Sequence, residues 1–186
     1  MTRYIQEHSC VTHRAPQSLP RSDMHRLAIP VFSAVTTAFL LFAPTPAHAV
    51  RMAPTFTVRT IDGKRIRLVE LRNRPVIVDF WATWCGPCRA SMPHLATMST
   101  RYAKNDLVVV GISVDDHDDE VKAYVGKQGI PFNIAMANDE ILDAYGPIRS
   151  IPTTIFINRK GQIVRQVSSA LDPETLESYV KEIVAN

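Results

Sequence analysis

Trp81-Ala82-Thr83-Trp84-Cys85-Gly86-Pro87-Cys88 joins two different kinds of chain. Before it lies an apolar run, Val76-Ile77-Val78-Asp79-Phe80-Trp81, and after it a segment with approximate helical periodicity. A run without polar alternation is a strand buried on both faces, as in a sheet covered by helices. Two cysteines, with only Gly86 and Pro87 between them, therefore fall where a strand gives way to a helix N-terminus. Such a pair closes into a disulfide or holds a metal, and the choice decides the function.

Working outward, Pro87 to Tyr102 predicts a helix with Met92, Leu95, Ala96 and Met98 as its stripe and Pro93 as a kink. Leu107 to Ile112 predicts a second fully buried strand. Asp115 to Glu120 is an acidic loop leading into a helix over Val121 to Lys127, whose start the carboxylates suit. Phe132 to Met136 reads as a short strand, Glu140 to Tyr145 as a short helix, and Thr153 to Ile157 as another strand. Asn158-Arg159-Lys160-Gly161 turns that strand back into Gln162 to Val167, and Asp172-Pro173-Glu174 caps a last helix. Upstream, Phe56 to Val58 and Lys64 to Leu68 form two short strands around Asp62-Gly63, a hairpin signal. Strands alternating with helices, then a hairpin and a helix, argue for an α/β sheet covered on both faces.

The first 49 residues read differently. Residues 1–23 have no hydrophobic periodicity, but from Met24 a short basic start, His25-Arg26, precedes an apolar run from Leu27 to Ala43. Pro44 to Ala49 then supplies small residues at the −3 and −1 positions of a cut after Ala49. This is the layout of a secretory signal, with residues 1–23 an overlong leader or Met24 the true start. The competing expectation is an uncleaved membrane anchor, although Pro30, Ser33, Thr36 and Thr37 dilute the run. Both place the domain of residues 50–186 outside the cytoplasm, with the periplasm as the expected compartment. Cleavage removes Cys10, leaving Cys85 and Cys88 as one dedicated pair in a compartment where disulfides persist. Residues 50–186 carry 17 Lys+Arg against 16 Asp+Glu, too balanced for a nucleic-acid surface.

Disulfide exchange needs an attacking thiolate and a neighbour that resolves the mixed disulfide. A helix N-terminus favours the thiolate, so Cys85 is the expected attacking sulfur and should be exposed. Cys88, one turn on, is the resolving one; Pro87 presets the helix start and Arg89 adds positive charge. Asp79 interrupts a buried run, where an unpaired carboxylate costs several kcal/mol or takes up a proton. Either it reaches water at the strand end, or it is a proton acceptor beneath Cys88 with a raised pKa; its position six residues before Cys85 favours the second. Ile151-Pro152 precedes an apolar strand, where a trans proline marks an edge and a cis one exposes the Ile151 backbone to a substrate strand.

Asp79 to Arg89, with Pro93 after it and Ile151-Pro152-Thr153-Thr154 downstream, resembles the thioredoxin superfamily, and within it the exported TlpA/ResA-type thiol–disulfide oxidoreductases. The resemblance covers about residues 53–184. It implies a thioredoxin fold: a central mixed sheet flanked by helices, an N-terminal β-hairpin, and an inserted strand–helix–strand over Val114 to Met136. It also implies a redox-active Cys85–Cys88 disulfide, Pro152 as the cis-proline of a substrate groove that includes Gly86, Pro87 and Ile151, and Trp84 as a shield over the site. Disulfide-containing client proteins and a membrane thiol-transfer electron donor follow from it, with no further cofactor. Three departures matter. Ser91 stands where that branch often has a glutamate, while Asp79 matches the buried aspartate of thioredoxin. Thr153 follows Pro152 where cytochrome c maturation thioredoxins often carry glutamate, so a dedicated haem-attachment role is not supported. The Gly86-Pro87 dipeptide is that of thioredoxin, a reductant. Cytochrome apoproteins, copper-site cysteines and general envelope proteins stay open as clients.

The rival reading is a copper- or zinc-binding metallochaperone. Two cysteines make half a site, and His94 or His117 would have to complete it. Peroxidase chemistry is disfavoured, because Ala82 stands where a peroxidatic Cys85 would need a threonine.

Overall fold

The computed structural model describes residues 51–186. The expected signal, its cut after Ala49, Met24 and Cys10 lie outside the described residues. Among the described residues, no helix is long and apolar enough to cross a membrane.

A five-stranded sheet carries the fold, built from β3 (Val76–Trp81), β4 (Val108–Ser113), β5 (Asn133–Met136), β6 (Thr153–Ile157) and β7 (Ile163–Val167) in the order β5-β4-β3-β6-β7. β3, β4 and β5 run parallel, while β6 pairs antiparallel with both β3 and β7. The sheet is thus mixed, with β3 at its centre. A separate hairpin, β1 (Thr57–Arg59) and β2 (Arg65–Arg67), precedes it. The helices are α1 (Gly86–Arg101), α2 (Asp118–Gln128), α3 (Asp139–Tyr145) and α4 (Pro173–Ala185).

Alternate residues of a strand face opposite sides of a sheet. Val76, Val78 and Phe80 accordingly join a core with Phe56, Val58, Ile141 and Tyr145. Ile77 joins Val109 and Phe156 beneath Leu95 and Met98 of α1 and Leu176, Val180 and Ile183 of α4. Both faces are covered, which is why β3 shows no polar alternation. Val114 to Met136 holds a helix and one strand, α2 and β5, rather than the expected strand–helix–strand, because the chain leaves β4 at Ser113 straight into the loop before α2. The β5 edge is closed by the hairpin, where Thr60 bridges Ala135 and the Ile61 N–H donates to the Ile134 carbonyl at 2.9 Å.

Local departures from expectation have simple causes. Leu68 leaves the strand to open a 3-10 turn, Leu68–Leu71, and its N–H donates to the Phe56 carbonyl at 3.1 Å. α2 starts at Asp118 rather than Val121, because Asp118, Asp119 and Glu120 suit a helix N-terminus and their turn is exposed. α1 runs on through Pro93. The backbone bond that Pro93 cannot donate falls at Arg89, an exposed residue one turn back. Asp172 caps α4, accepting from the N–H groups of Glu174 and Thr175 at 3.1 and 2.9 Å.

Both ends of the described chain meet at the β6–β7 turn. The Ile163 N–H donates to the Arg51 carbonyl at 2.8 Å, and the Arg159 N–H donates to the Asn186 carbonyl at 3.3 Å.

Gly111 pairs with Asp79 across β3 and β4. A Cβ there would lie 2.6 Å from Ile134 Cδ1 and 3.1 Å from Trp81 Nε1, too close for either. Gly111→Ala is therefore expected to destabilise the fold by about 1–3 kcal/mol through overpacking, measured by urea unfolding.

Candidate active site

Cys85 is the N-cap of α1, with extended backbone angles, and Pro87 occupies the first turn behind it. Its N–H donates to the Ala82 carbonyl at 3.2 Å, which folds the loop after β3 into a turn. Cys85 Sγ accepts the Cys88 N–H at 3.2 Å, and the two sulfurs form a disulfide with Cα atoms 5.2 Å apart. Helix N-terminal N–H groups stabilise negative charge, so a sulfur in this place is one that a thiolate can occupy.

Cys85 is 6% exposed and Cys88 1%. The expectation of an exposed Cys85 is thus corrected: in the disulfide it is only the less covered of the pair. The reason is packing, since both belong to a cluster with Trp81, Ala82, Met92, Val121 and Ile134. Gly86, Pro87 and Arg89 are exposed around them.

The Ile151–Pro152 peptide is cis. Pro152 is buried and Ile151 half-buried, with the Ile151 carbonyl oxygen 3.8 Å from Cys85 Sγ. Trp84 is 67% exposed and lines a groove of about 660 Å³ together with Leu142, Gly146, Ile148 and Ile151. Its lining takes in Trp84 and Ile151, the chain neighbours of Cys85 and Pro152, but not the sulfurs themselves, nor Gly86 or Pro87.

Asp79 shares its β3 face with Ile77 and Trp81, the face that α1 covers. It is fully buried, and loss of water pushes its pKa from 3.8 up to about 7, against a smaller downward pull from a hydrogen bond. The donor of that bond is the Thr154 hydroxyl, 2.6 Å from Asp79 Oδ1, on the neighbouring strand β6. Thr154 was legible only as a polar residue inside an apolar strand. Ser91, buried in α1, donates to the Pro87 carbonyl at 3.0 Å and so serves the helix backbone.

Asp115 belongs to the site rather than to an acidic loop. It is buried, and its carboxylate accepts from the Thr83 N–H and from the hydroxyls of Thr83 and Ser113. The signal was there to find, because Asp115 follows an apolar strand just as Asp79 interrupts one. Among the described residues, no three His, Cys, Asp or Glu side chains gather as a metal-holding group. His94 sits beside Pro173 and Glu177 of α4, and His117 is the exposed N-cap of α2.

The AhpC/TSA family model matches residues 50–166. The chain is 33% identical over 132 residues to the thiol–disulfide oxidoreductase ResA of Bacillus thuringiensis (strain Al Hakam), covering 70% of this chain and 76% of the relative. ResA of Bacillus subtilis (strain 168) is 30% identical over 132 residues, covering 70% and 73%. Among solved structures, a thioredoxin-family thiol:disulfide interchange protein from Chlorobium tepidum TLS superposes with a TM-score of 0.69 at 31% identity, covering 73% of this chain and 97% of that one. A secreted disulfide oxidoreductase from Mycobacterium tuberculosis shares the fold, with a TM-score of 0.61 at 22% identity over 68% and 95% of the two chains. With its thioredoxin fold and its Cys85–Cys88 disulfide at a helix N-terminus, the chain belongs to the AhpC/TSA family as a thiol–disulfide oxidoreductase of the ResA kind.

Proposed function

We propose that this protein reduces disulfides of client proteins outside the cytoplasm, with Cys85 as the attacking sulfur and Cys88 as the resolving one. The observation that carries this reading is the Cys85–Cys88 disulfide at the N-cap of α1, beside the Ile151 carbonyl and at the edge of the groove.

From the dithiol, the Cys85 thiolate attacks one sulfur of a client disulfide. That bond breaks, a mixed disulfide forms, and the first client sulfur leaves as a thiolate that takes up a proton. Cys88 then gives its proton to Asp79 and attacks Cys85 Sγ. The mixed disulfide breaks, the second client thiolate leaves, and the Cys85–Cys88 disulfide remains. Two electrons have gone to the client. A thiol-transfer protein in the membrane returns them, as the ResA-type resemblance implies. In the groove, the client segment lies between Trp84 and Ile151 and pairs with the Ile151 backbone, while Gly86 and Pro87 form the exposed rim beside the sulfurs.

The extracytoplasmic location is supported by the signal-like layout of residues 24–49, whether that segment is cut after Ala49 or kept as an anchor. Of the structural relatives, the Mycobacterium tuberculosis protein is described as secreted.

Equilibration with glutathione and with dithiothreitol tests the direction of transfer. The expected midpoint lies nearer the about −270 mV of thioredoxin than the about −120 mV of a strong oxidant. A midpoint near the oxidant value would replace the reductase reading with an oxidase.

A further inference from the structure

We infer that Asp115 is a positioning residue for Cys85, acting through a clamp on Thr83 that also sets the Trp84 wall of the groove. The inference rests on Cys85 being the attacking sulfur.

The clamp is dense and almost dry. Asp115 Oδ2 accepts from the Thr83 N–H at 3.0 Å and from Ser113 Oγ at 2.6 Å. Oδ1 accepts from Thr83 Oγ1 at 2.6 Å and shares the Thr83 N–H at 3.2 Å. Ser113 Oγ in turn accepts the Asp115 N–H at 3.1 Å, so the end of β4 and its carboxylate lock each other. Ser113 is fully buried and Asp115 is 7% exposed. Bonds to a carboxylate in such surroundings are short and strong relative to those between neutral groups.

What the clamp holds is the loop that carries the chemistry. Thr83 sits inside the Ala82–Cys85 turn, two residues before the sulfur that caps α1. Beyond that turn, no other side chain among the described residues bonds the Thr83 backbone. On either side of the clamp, Trp84 and Val114 are the neighbours of Thr83 and Asp115, and both line the groove. One carboxylate therefore registers the capping sulfur and the groove wall against the rigid end of β4. The disulfide supplies its own restraint in the oxidised state. In the dithiol that bond is gone, and the clamp steadies the Ala82–Cys85 turn that holds Cys85 over the helix N-terminus.

Charge and position pull in opposite directions, which makes the idea testable. A carboxylate that acted only through its charge would oppose the Cys85 thiolate, so removing it would ease ionisation. A carboxylate that positions the sulfur does the reverse. The experiment follows the rate of iodoacetamide capture of Cys85 against pH in the reduced full chain, together with insulin-reduction kinetics, for Asp115→Asn, Thr83→Val and Thr83→Ser. Thermal melts check that each variant folds.

Both Asp115→Asn and Thr83→Val are expected to move the alkylation midpoint to higher pH. Turnover falls by about 10- to 100-fold for Asp115→Asn and less for Thr83→Val, the scale of a small misplacement of a reacting group. Thr83→Ser restores most of what Thr83→Val loses. A midpoint that moves to lower pH in Asp115→Asn, or that stays fixed in both variants, overturns the inference. Alkylation reads the sulfur whether or not insulin is a substrate, so failure of the clamp and failure of the reductase reading are distinguishable.

Discussion

Cys85→Ser is expected to leave no insulin reduction above the uncatalysed dithiothreitol background, while Cys88→Ser accumulates covalent adducts with clients. The asymmetry follows from the positions of the two sulfurs. Cys85 is the N-cap whose sulfur receives the Cys88 N–H, and it stands beside the Ile151 carbonyl at the groove. A serine hydroxyl at that place is a far weaker nucleophile than a thiolate and forms no stable bond to a client sulfur. Without the attacking sulfur nothing else in the cycle proceeds, so the loss is complete rather than partial. Cys88 is 1% exposed and lies within the first turn of α1, where a client disulfide cannot reach it. Its removal leaves attack intact and deletes the intramolecular exit, so the mixed disulfide persists until an outside thiol cleaves it. Non-reducing gels of envelope extracts carrying Cys88→Ser, followed by mass spectrometry of the adducts, read this directly and name the clients. Full activity in Cys85→Ser would end the proposed mechanism.

Asp79→Asn should raise stability at pH 8 and depress activity there. In the folded protein the Asp79 pKa is raised from 3.8 to about 7, chiefly by burial. Below 3.8 both folded and unfolded chains hold the proton, and the residue has no effect on the balance. Between 3.8 and about 7 the unfolded chain has lost its proton and the folded one keeps it, so stability declines as pH rises. Above about 7 both are ionised, and a constant penalty remains. Asparagine keeps an oxygen for the Thr154 hydroxyl and carries no charge. The variant is therefore expected to gain about 2–4 kcal/mol at pH 8 and almost nothing at pH 4, measured by guanidinium unfolding. Its cost is kinetic. If Asp79 takes the Cys88 proton as proposed, it must be ionised, so resolution in the wild-type protein is expected to rise with pH through about 7, and this rise to be flattened in the variant. A variant with unchanged stability and an unchanged pH profile would show Asp79 to be a structural residue alone.

Much of this was legible before any coordinates. The buried central strand, the helix start at the cysteines and the cap at Asp172 all announce themselves by local chemistry, because burial on two faces and helix termini leave short-range signatures. Asp79 was legible for the same reason, as a carboxylate with no local excuse for its place. Thr154 and the Asp115–Thr83 pair were not. Thr154 is 75 positions from Asp79, and Asp115 is 32 from Thr83. Each contact exists only because the sheet order brings β6 beside β3 and the end of β4 beside the loop after β3. Spacing along a chain does not report such register. The cover over Cys85 is hidden from the sequence for a related reason: the cluster that buries it draws on α2 and β5, both distant in sequence.

The gathering of Arg51 and Asn186 at the β6–β7 turn gives the described residues a polarity. β6 begins next to Pro152, at the thiol end of the sheet, and delivers the chain about 16 Å away to the turn where Arg51 and Asn186 are held. A domain or bead linker joined after Asn186 is thus hung from the pole opposite the sulfurs. The length of such a leash sets how far into its surroundings the dithiol can sweep.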